Sequence, residues 1–414
     1  MADRLLVLSN GHGEDLIARR ILEVLKRRRP DLPLTVLPLV GVGDGFTGLP
    51  GLQRLGPVAQ LPSGGFANQN LGGLLRDLTA GLLERTVAQR QAVRRWARGG
   101  GAVLAVGDLL PLLLAWDSGR PYGFVGTPKS DYTWLSGPGR SPLADRVHAC
   151  KGSEWDPWEW ALMGHRRCRL CACRDGLTAR GLRRRGVAAL APGNPMMDGF
   201  PSGPPPAWLS GRQPLLLLPG SRDPEARGNL RRLLDALACC RPNDGGGRRI
   251  LLLPTGGQPS VDDLASLLQG AGFRPEPPIP AESGAASAWQ GPAGELLLHG
   301  PGRFSSWAPW ATAALACAGT ATEQCAGLGV PALSLPGPGP QFQEGFARRQ
   351  SRLLGGAVTV CTDAADLAAQ LDRLLNDPDL RRRLGDRGRR RMGPAGGSER
   401  LAGLITERLL AAPA

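Results

Sequence analysis

Apolar residues in this chain fall into short unbroken runs set between longer amphipathic stretches. In the first half, Arg4–Leu8, Leu34–Leu39 and Val103–Val106 are runs of this kind, and Leu16–Arg28 and Leu71–Ala97 have helical periodicity. Continuous apolar runs suit strands buried on both faces of a parallel sheet, whereas a strand with one wet face would alternate. The same order returns in the second half. Strand Leu215–Leu218 is followed by helix Leu230–Cys240, strand Ile250–Pro254, helix Val261–Ala271 and strand Glu295–Leu298. Strand Ala313–Ala316, helix Thr322–Leu328 and the run Val330–Leu335 come next. Alternating β and α units predict an α/β fold, with two Rossmann-like domains whose parallel sheets face a central cleft. Between the halves, Pro201-Ser202-Gly203-Pro204-Pro205-Pro206 can form neither a helix nor an inner strand. The expected organisation is one Rossmann-like domain over 1–200, a Pro-rich linker over 201–212 and a second Rossmann-like domain over 213–397. A C-terminal helix over 398–414 can cross back onto the first domain.

Composition narrows this picture. A chain of 414 residues, 42% hydrophobic and 21% charged, is long and apolar enough for two full cores. Fifty Lys and Arg against 36 Asp and Glu give a formal charge of +14. The excess gathers at Lys26–Arg29, Arg94-Arg95, Arg183–Arg185, Arg381–Arg383 and Arg389–Arg391. Nucleic acid and an anionic membrane are both partners for such a surface. No nucleic-acid motif accompanies the charge, and two Tyr and eight Phe leave little to stack on bases, so a lipid surface is the better match. The plain alternative is a solvated, Arg-biased surface. Met1–Leu8 lacks a basic leader, and the most apolar stretch, Val103–Trp116, is broken by Asp108 and Pro111. It is also shorter than the ~20 residues of a membrane span. A cytoplasmic protein that meets a membrane only from its surface is expected. His165, Cys168, Cys171 and Cys173 do not have the spacing of a structural zinc site, and Cys168–Cys173 alternates as a strand does. No metal is expected there, and an intracellular, reducing compartment fits the nine Cys. Trp155, Trp158 and Trp160 can pack a core, stack a sugar or sit at a membrane interface; core packing is the plainest reading.

The chemistry concentrates at strand-to-helix junctions. Gly319, Thr320, Ala321, Thr322, Glu323 and Gln324 follow the run Ala313–Ala316, where a helix N-terminus would aim N–H groups at an anion. Glu323, one turn in, suits the hydroxyls of a ribose. Leu215–Leu218 runs into Pro219-Gly220-Ser221-Arg222, and the Arg222 guanidinium can pair with phosphate oxygens in bidentate fashion. These two segments, together with Gly193-Asn194-Pro195-Met196-Met197-Asp198 and Arg390-Arg391-Met392-Gly393-Pro394-Ala395-Gly396-Gly397-Ser398, resemble lipid-A-disaccharide synthase. They resemble more closely the lipid-A-disaccharide-synthase-related proteins of cyanobacteria. The resemblance is strongest from Gly193 to Ser398 and implies a GT-B glycosyltransferase that takes a nucleotide sugar and a lipid or glycolipid acceptor.

Ligands of open parallel sheets bind beyond the carboxyl ends of the strands. That rule places a first loop, Ser9 to Asp15, at the site. Asn10, Gly11, Gly13 and Asp15 are acceptor-binding candidates there, and His12 and Glu14 are candidates for proton transfer. Glu14 and Asp15 have a second reading, as charges complementing the dipole of the helix that follows. The third Gly of a dinucleotide fingerprint is absent, so NAD binding loses ground. Asp108 follows strand Val103–Val106 and Gly107, where a carboxylate can accept a proton from a sugar hydroxyl. The resemblance places it near the synthase aspartate thought to activate the acceptor, and it can equally cap the helix Leu109–Trp116. Lys129, after strand Gly123–Val125, can hold an acceptor phosphate.

The mechanism expected is a single displacement at the anomeric carbon, with no cofactor and no obligatory metal. Ser221, Arg222 and Gly319–Gln324 would bind the donor, most simply a UDP-sugar, and Asp108, His12 or Glu14 would act as base. The chain departs from the synthase in its Ser9–Asp15 loop. After Pro331 it also lacks the synthase's Asn-Leu-Leu and reads Pro338-Gly339-Pro340-Gln341-Phe342 instead. Donor chemistry is therefore better supported than a lipid A acceptor. A sugar-nucleotide epimerase of similar fold and a non-catalytic nucleotide-sugar-binding protein are the alternatives.

Overall fold

A computed structural model describes residues 3–41, 43–56, 82–135, 142–240, 248–256, 258–276, 281–337 and 342–411. The chain forms two compact units. One holds residues up to Asp198 together with Pro394 onward, and the other holds Gly199–Gly393.

The first unit is built on seven strands: β1 (Leu5–Ser9), β2 (Leu34–Pro38), β3 (Leu52–Arg54), β4 (Ala102–Gly107), β5 (Tyr122–Gly126), β6 (Cys168–Cys173) and β7 (Ala189–Leu190). They lie in the order β3-β2-β1-β4-β5-β6-β7, all pairs parallel. The apolar runs explain the middle of this sheet. Every residue of β1, β4 and β5 is buried, because helices cover both faces. Trp155 is part of this core and meets Phe124 edge to face at 5.5 Å, whereas Trp158 is 59% exposed.

The second unit holds β8 (Arg212–Leu218), β9 (Arg248–Thr255), β10 (Arg274–Pro275), β11 (Ser287–Gln290), β12 (Leu296–Pro301), β13 (Ala313–Ala316), β14 (Ala332–Ser334) and β15 (Val358–Val360). Their order is β10-β11-β12-β9-β8-β13-β14-β15. The sheet is parallel from β12 to β15, but β10 and β11 run antiparallel at one edge. A wholly parallel sheet was the expectation. The turn Gly291–Glu295, closed by Gly291 N–H on the Glu295 carbonyl, folds β11 back on β12 and makes the difference. Both sheets have the doubly wound order that reverses beside the first strand of each unit, between β1 and β4 and between β8 and β13.

Several element ends differ from expectation. The first helix spans His12–Arg28, starting four residues early. The helix expected over Leu71–Ala97 is described from Leu82 to Arg98, and its first part lies outside the described residues. The expected linker is not free. Ala207–Leu209 makes a short turn with Leu209 buried, and Arg212 already pairs in β8, so 201–212 belongs to the second unit. The last helix, Gly397–Leu404, continues as a wider π turn over Ile405–Leu410 and groups with the first unit. Glu399 there pairs with Arg27 at 2.8 Å and Arg28 at 2.6 Å.

Candidate functional site

At the reversal point of the first sheet, the segments after β1, β4 and β5 bring polar side chains together. Ser9 ends β1, and Gly11, at φ 128°, turns the chain into the helix that opens at His12. Gly107 ends β4 at φ 133°. A Cβ at Gly107 would stand 3.1 Å from the Asn10 Cβ and 3.4 Å from the Glu14 Cγ, so glycine lets both residues close over the strand end. Asp108 follows. Its Oδ1 accepts from the Leu110 N–H at 3.2 Å and from Asn10 Nδ2 at 2.8 Å. Asp108 is thus a helix cap and a strand-end carboxylate at once. Thr127, just past β5, donates its hydroxyl to Glu14 Oε1 at 3.1 Å.

These carboxyls are perturbed. Burial pushes Glu14 up to about 7, the negative charge of Asp108 adds to the rise, and a backbone hydrogen bond and Thr127 oppose it. Burial also raises Asp108, against the Leu110 N–H, the Lys129 charge and Asn10. A Glu14 carboxyl raised to about 7, with a second buried carboxyl near it, suits acid–base chemistry.

The rest of the N-terminal candidates sort differently. The segment Ser9–Asp15 is a two-residue turn followed by helix, because Gly11 and not Gly13 makes the bend. His12 opens that helix, and its side chain lies outside the described residues. Asp15 is 2% exposed beneath β1 and accepts from the Ser9 hydroxyl. Burial raises it to about 6, so it is a packed structural group with no access to an acceptor. Lys129 was expected to be open to a phosphate. Instead its Nζ lies 2.6 Å from Glu159 and 3.4 Å from Asp156, and 5.1 Å from the centre of the Trp155 ring. Two carboxylates hold its ammonium, and its charge also acts on Asp108.

The reversal point of the second sheet carries the donor candidates. β8 ends into Pro219, whose carbonyl accepts from the buried Asn229 at 3.0 Å. Ser221 is exposed and Arg222 partly so. Burial lowers the Arg222 pKa, and Glu225 opposes the shift. β13 runs to Ala316, and Gly319 caps the helix Thr320–Leu328. The Gly319 carbonyl accepts from Gln350 at 2.9 Å and from the Glu323 N–H at 3.2 Å, which fixes the cap. Gly319, Thr320, Ala321 and Glu323 keep surface. Thr322 and Gln324 do not. Thr322 is fully buried with its hydroxyl on the Ala318 carbonyl, and Gln324 is 4% exposed, so neither side chain is open to a donor. Two side chains that sequence reading passed over stand at neighbouring strand ends. Thr255, ending β9, and His299, in β12, are hydrogen-bonded at 2.9 Å and buried. Gly256 lies against Ser221.

Two further motifs have a structural role. Asp198 accepts from the N–H groups of Gly396, Gly397 and Ser398, and Arg20 donates to the Pro195 carbonyl at 2.6 Å. A Cβ at Gly397 would lie 2.7 Å from the Asn194 and Pro195 backbone. The segments Gly193–Asp198 and Pro394–Ser398 thus form a clasp that fastens the C-terminal helix to the first unit.

No protein-family model matches the sequence, and no curated protein matches it. Solved structures do match in shape. A candidate UDP-N-acetylglucosamine 2-epimerase from Listeria monocytogenes superposes with a TM-score of 0.59 at 12% identity, covering 100% of this chain and 98% of its own. CalG4, the calicheamicin glycosyltransferase, gives 0.56 at 15% identity, with both chains covered in full. The fold is GT-B. The S. aureus MnaA structure with UDP agrees, at 0.55 and 13% identity over 100% of this chain and 99% of its own. At these identities the match establishes the GT-B fold, and chemistry has to be argued from the residues at the two reversal points.

Proposed function

We propose that this chain is a glycosyltransferase that moves a sugar from a nucleotide sugar, most simply UDP-linked, to a hydroxyl of a lipid or glycolipid acceptor. The observation that carries the reading is the convergence of Asn10, Glu14, Asp108 and Thr127 at the reversal point of the first sheet. The second unit offers the complementary chemistry. N–H groups at Gly319–Ala321 and the Arg222 guanidinium suit a diphosphate, and Glu323 suits a ribose. The acceptor oxygen attacks the anomeric carbon while the bond to the diphosphate breaks. The hydroxyl proton passes to Asp108, whose proton affinity burial raises. The diphosphate leaves with the bonding electrons, and Arg222 and the helix terminus stabilise its charge.

UDP should raise the melting temperature of the protein with no divalent metal added; full dependence on magnesium or manganese would count against this donor site. Asp108→Asn should cut turnover about 100- to 10,000-fold. Its UDP affinity and fold should persist, since Asn caps helices as well as Asp does. A large loss in His12→Ala with little in Asp108→Asn would move the base to His12. Unchanged turnover in both variants would remove Asp108 and His12 as the base, and no turnover in a wild type that binds UDP would favour a binding protein. The carboxyl pair also suits an epimerase, which would rework a UDP-sugar alone. Formation of an epimer with no acceptor present would select that reading.

A further inference from the structure

The connection between β5 and β6 carries a helix, Pro142–Lys151, that is inside out. Asp145, His148 and Lys151 are its half-buried positions. Lys151 Nζ lies 2.5 Å from Asp156, and the His148 ring lies 3.6 Å from the Glu154 carboxylate. The apolar side chains point out. Leu143 is 77% exposed and Val147 62%, one turn apart on the same face, with Ala144 exposed beside them. Leu135, which ends the short helix Tyr132–Leu135, is 44% exposed. A helix that only packed on its own unit would turn Leu and Val inward and Asp and Lys outward. A reversed helix stabilises nothing by burial until another apolar phase covers it.

The rim of this face is basic. Arg146 is exposed on the helix itself. Arg185 reaches the Cys150 carbonyl at 3.5 Å and lies 5.3 Å from the centre of the Trp160 ring, which sets the exposed run Arg183–Arg185 against the end of the helix. A second copy of the chain would bring the same positive rim and another +14 charge against it. An anionic bilayer offers both what the centre lacks and what the rim attracts. We propose that the face built on Leu143 and Val147 and rimmed by Arg146, Arg184 and Arg185 docks on an anionic lipid surface. The inference deepens the lipid-acceptor reading. The same connection begins near Lys129, whose charge acts on Asp108, so one segment would meet both the membrane and the acceptor site.

The test uses the full chain and sedimentation with vesicles of phosphatidylcholine, with and without phosphatidylglycerol. It needs no sugar transfer, and UDP thermal shifts are read in parallel. The wild type should bind the anionic vesicles and release them at high salt. Leu143→Ser with Val147→Ser should weaken that binding about tenfold or more. Arg146→Ala and Arg184→Ala should each weaken it about fivefold. Ala144→Trp, which keeps both apolar residues, should show a blue-shifted emission on anionic vesicles only. Unchanged vesicle binding in the serine double variant, an unshifted tryptophan, or no binding by a wild type that still responds to UDP would overturn the proposal and leave the donor reading standing. So would a wild-type dimer that the serine variant converts to monomer, since the face would then join two copies. Vesicle binding that follows this pattern with no UDP response would uphold the docking face and count against the glycosyltransferase reading.

Discussion

Replacing Glu14 by Gln tests the convergence at the first reversal point directly. Burial and the neighbouring Asp108 raise the Glu14 carboxyl from 4.5 to about 7. The folded protein therefore binds this proton more tightly than the unfolded chain does. Its contribution to stability is complete below the unfolded value and is lost as pH rises through the folded one. Each tenfold gain in proton affinity is worth about 1.4 kcal/mol, so the wild type should lose about 3 kcal/mol from this group between pH 4.5 and 7. Gln keeps a carbonyl oxygen for Thr127 and carries no charge, so that loss should vanish in Glu14→Gln. Asp15, also raised by burial, titrates in both proteins and cancels in the difference. The assay is urea unfolding of the first unit at a series of pH values, read by pulse proteolysis. The variant should match the wild type in acid and exceed it by about 3 kcal/mol once the pH passes 7. A difference that stays flat across this range would mean that Glu14 ionises as a solvated carboxylate, and the convergence would lose its electrostatic basis.

Glu323→Ala should weaken UDP binding by about 1.5–3 kcal/mol, read by calorimetry, and leave the fold intact because Glu323 keeps surface. Asp198→Ala removes the acceptor of three N–H groups and should destabilise the first unit by about 2–4 kcal/mol, seen as early proteolysis of the tail beyond Gly393. Gly388→Ala would place a methyl 2.2 Å from the Ala326 carbonyl oxygen; it should cost about 1–3 kcal/mol in urea unfolding and weaken UDP binding through the helix Thr320–Leu328.

The strands were legible because both faces of each central strand are buried. Ala313–Ala316 could be read to the residue, and β4 and β5 to within a residue at either end. Edges were harder. Arg274–Pro275 and Ser287–Gln290 are short, and nothing in their composition reports that they run antiparallel. At the candidate sites, sequence placed Asp108 and Arg222 at strand ends but misjudged orientation. Thr322 and Gln324 lie on the inward face of the helix Thr320–Leu328, which the residue types at a strand-to-helix junction do not report. Gly13 resembled a loop residue because glycine is a poor helix former; burial of the helix His12–Arg28 overrode that preference. The partner of Lys129 stands thirty residues away, at Glu159, and only the folded chain brings it near. The clasp was visible as two motifs whose mutual contact no spacing announces.

That clasp bears on how the protein is made. Leu401, Ile405 and Leu409 are buried in the first unit, with Leu409 against Gly123 of β5. They are translated after every residue of the second unit. On the ribosome, the first unit emerges early and waits with an apolar groove open until the whole of Gly199–Gly393 has been synthesised. The second unit can finish folding first, so the order of completion reverses the order of synthesis. A chain stalled or cut near Gly393 would keep an intact second unit and leave the first one exposed to chaperones and proteases.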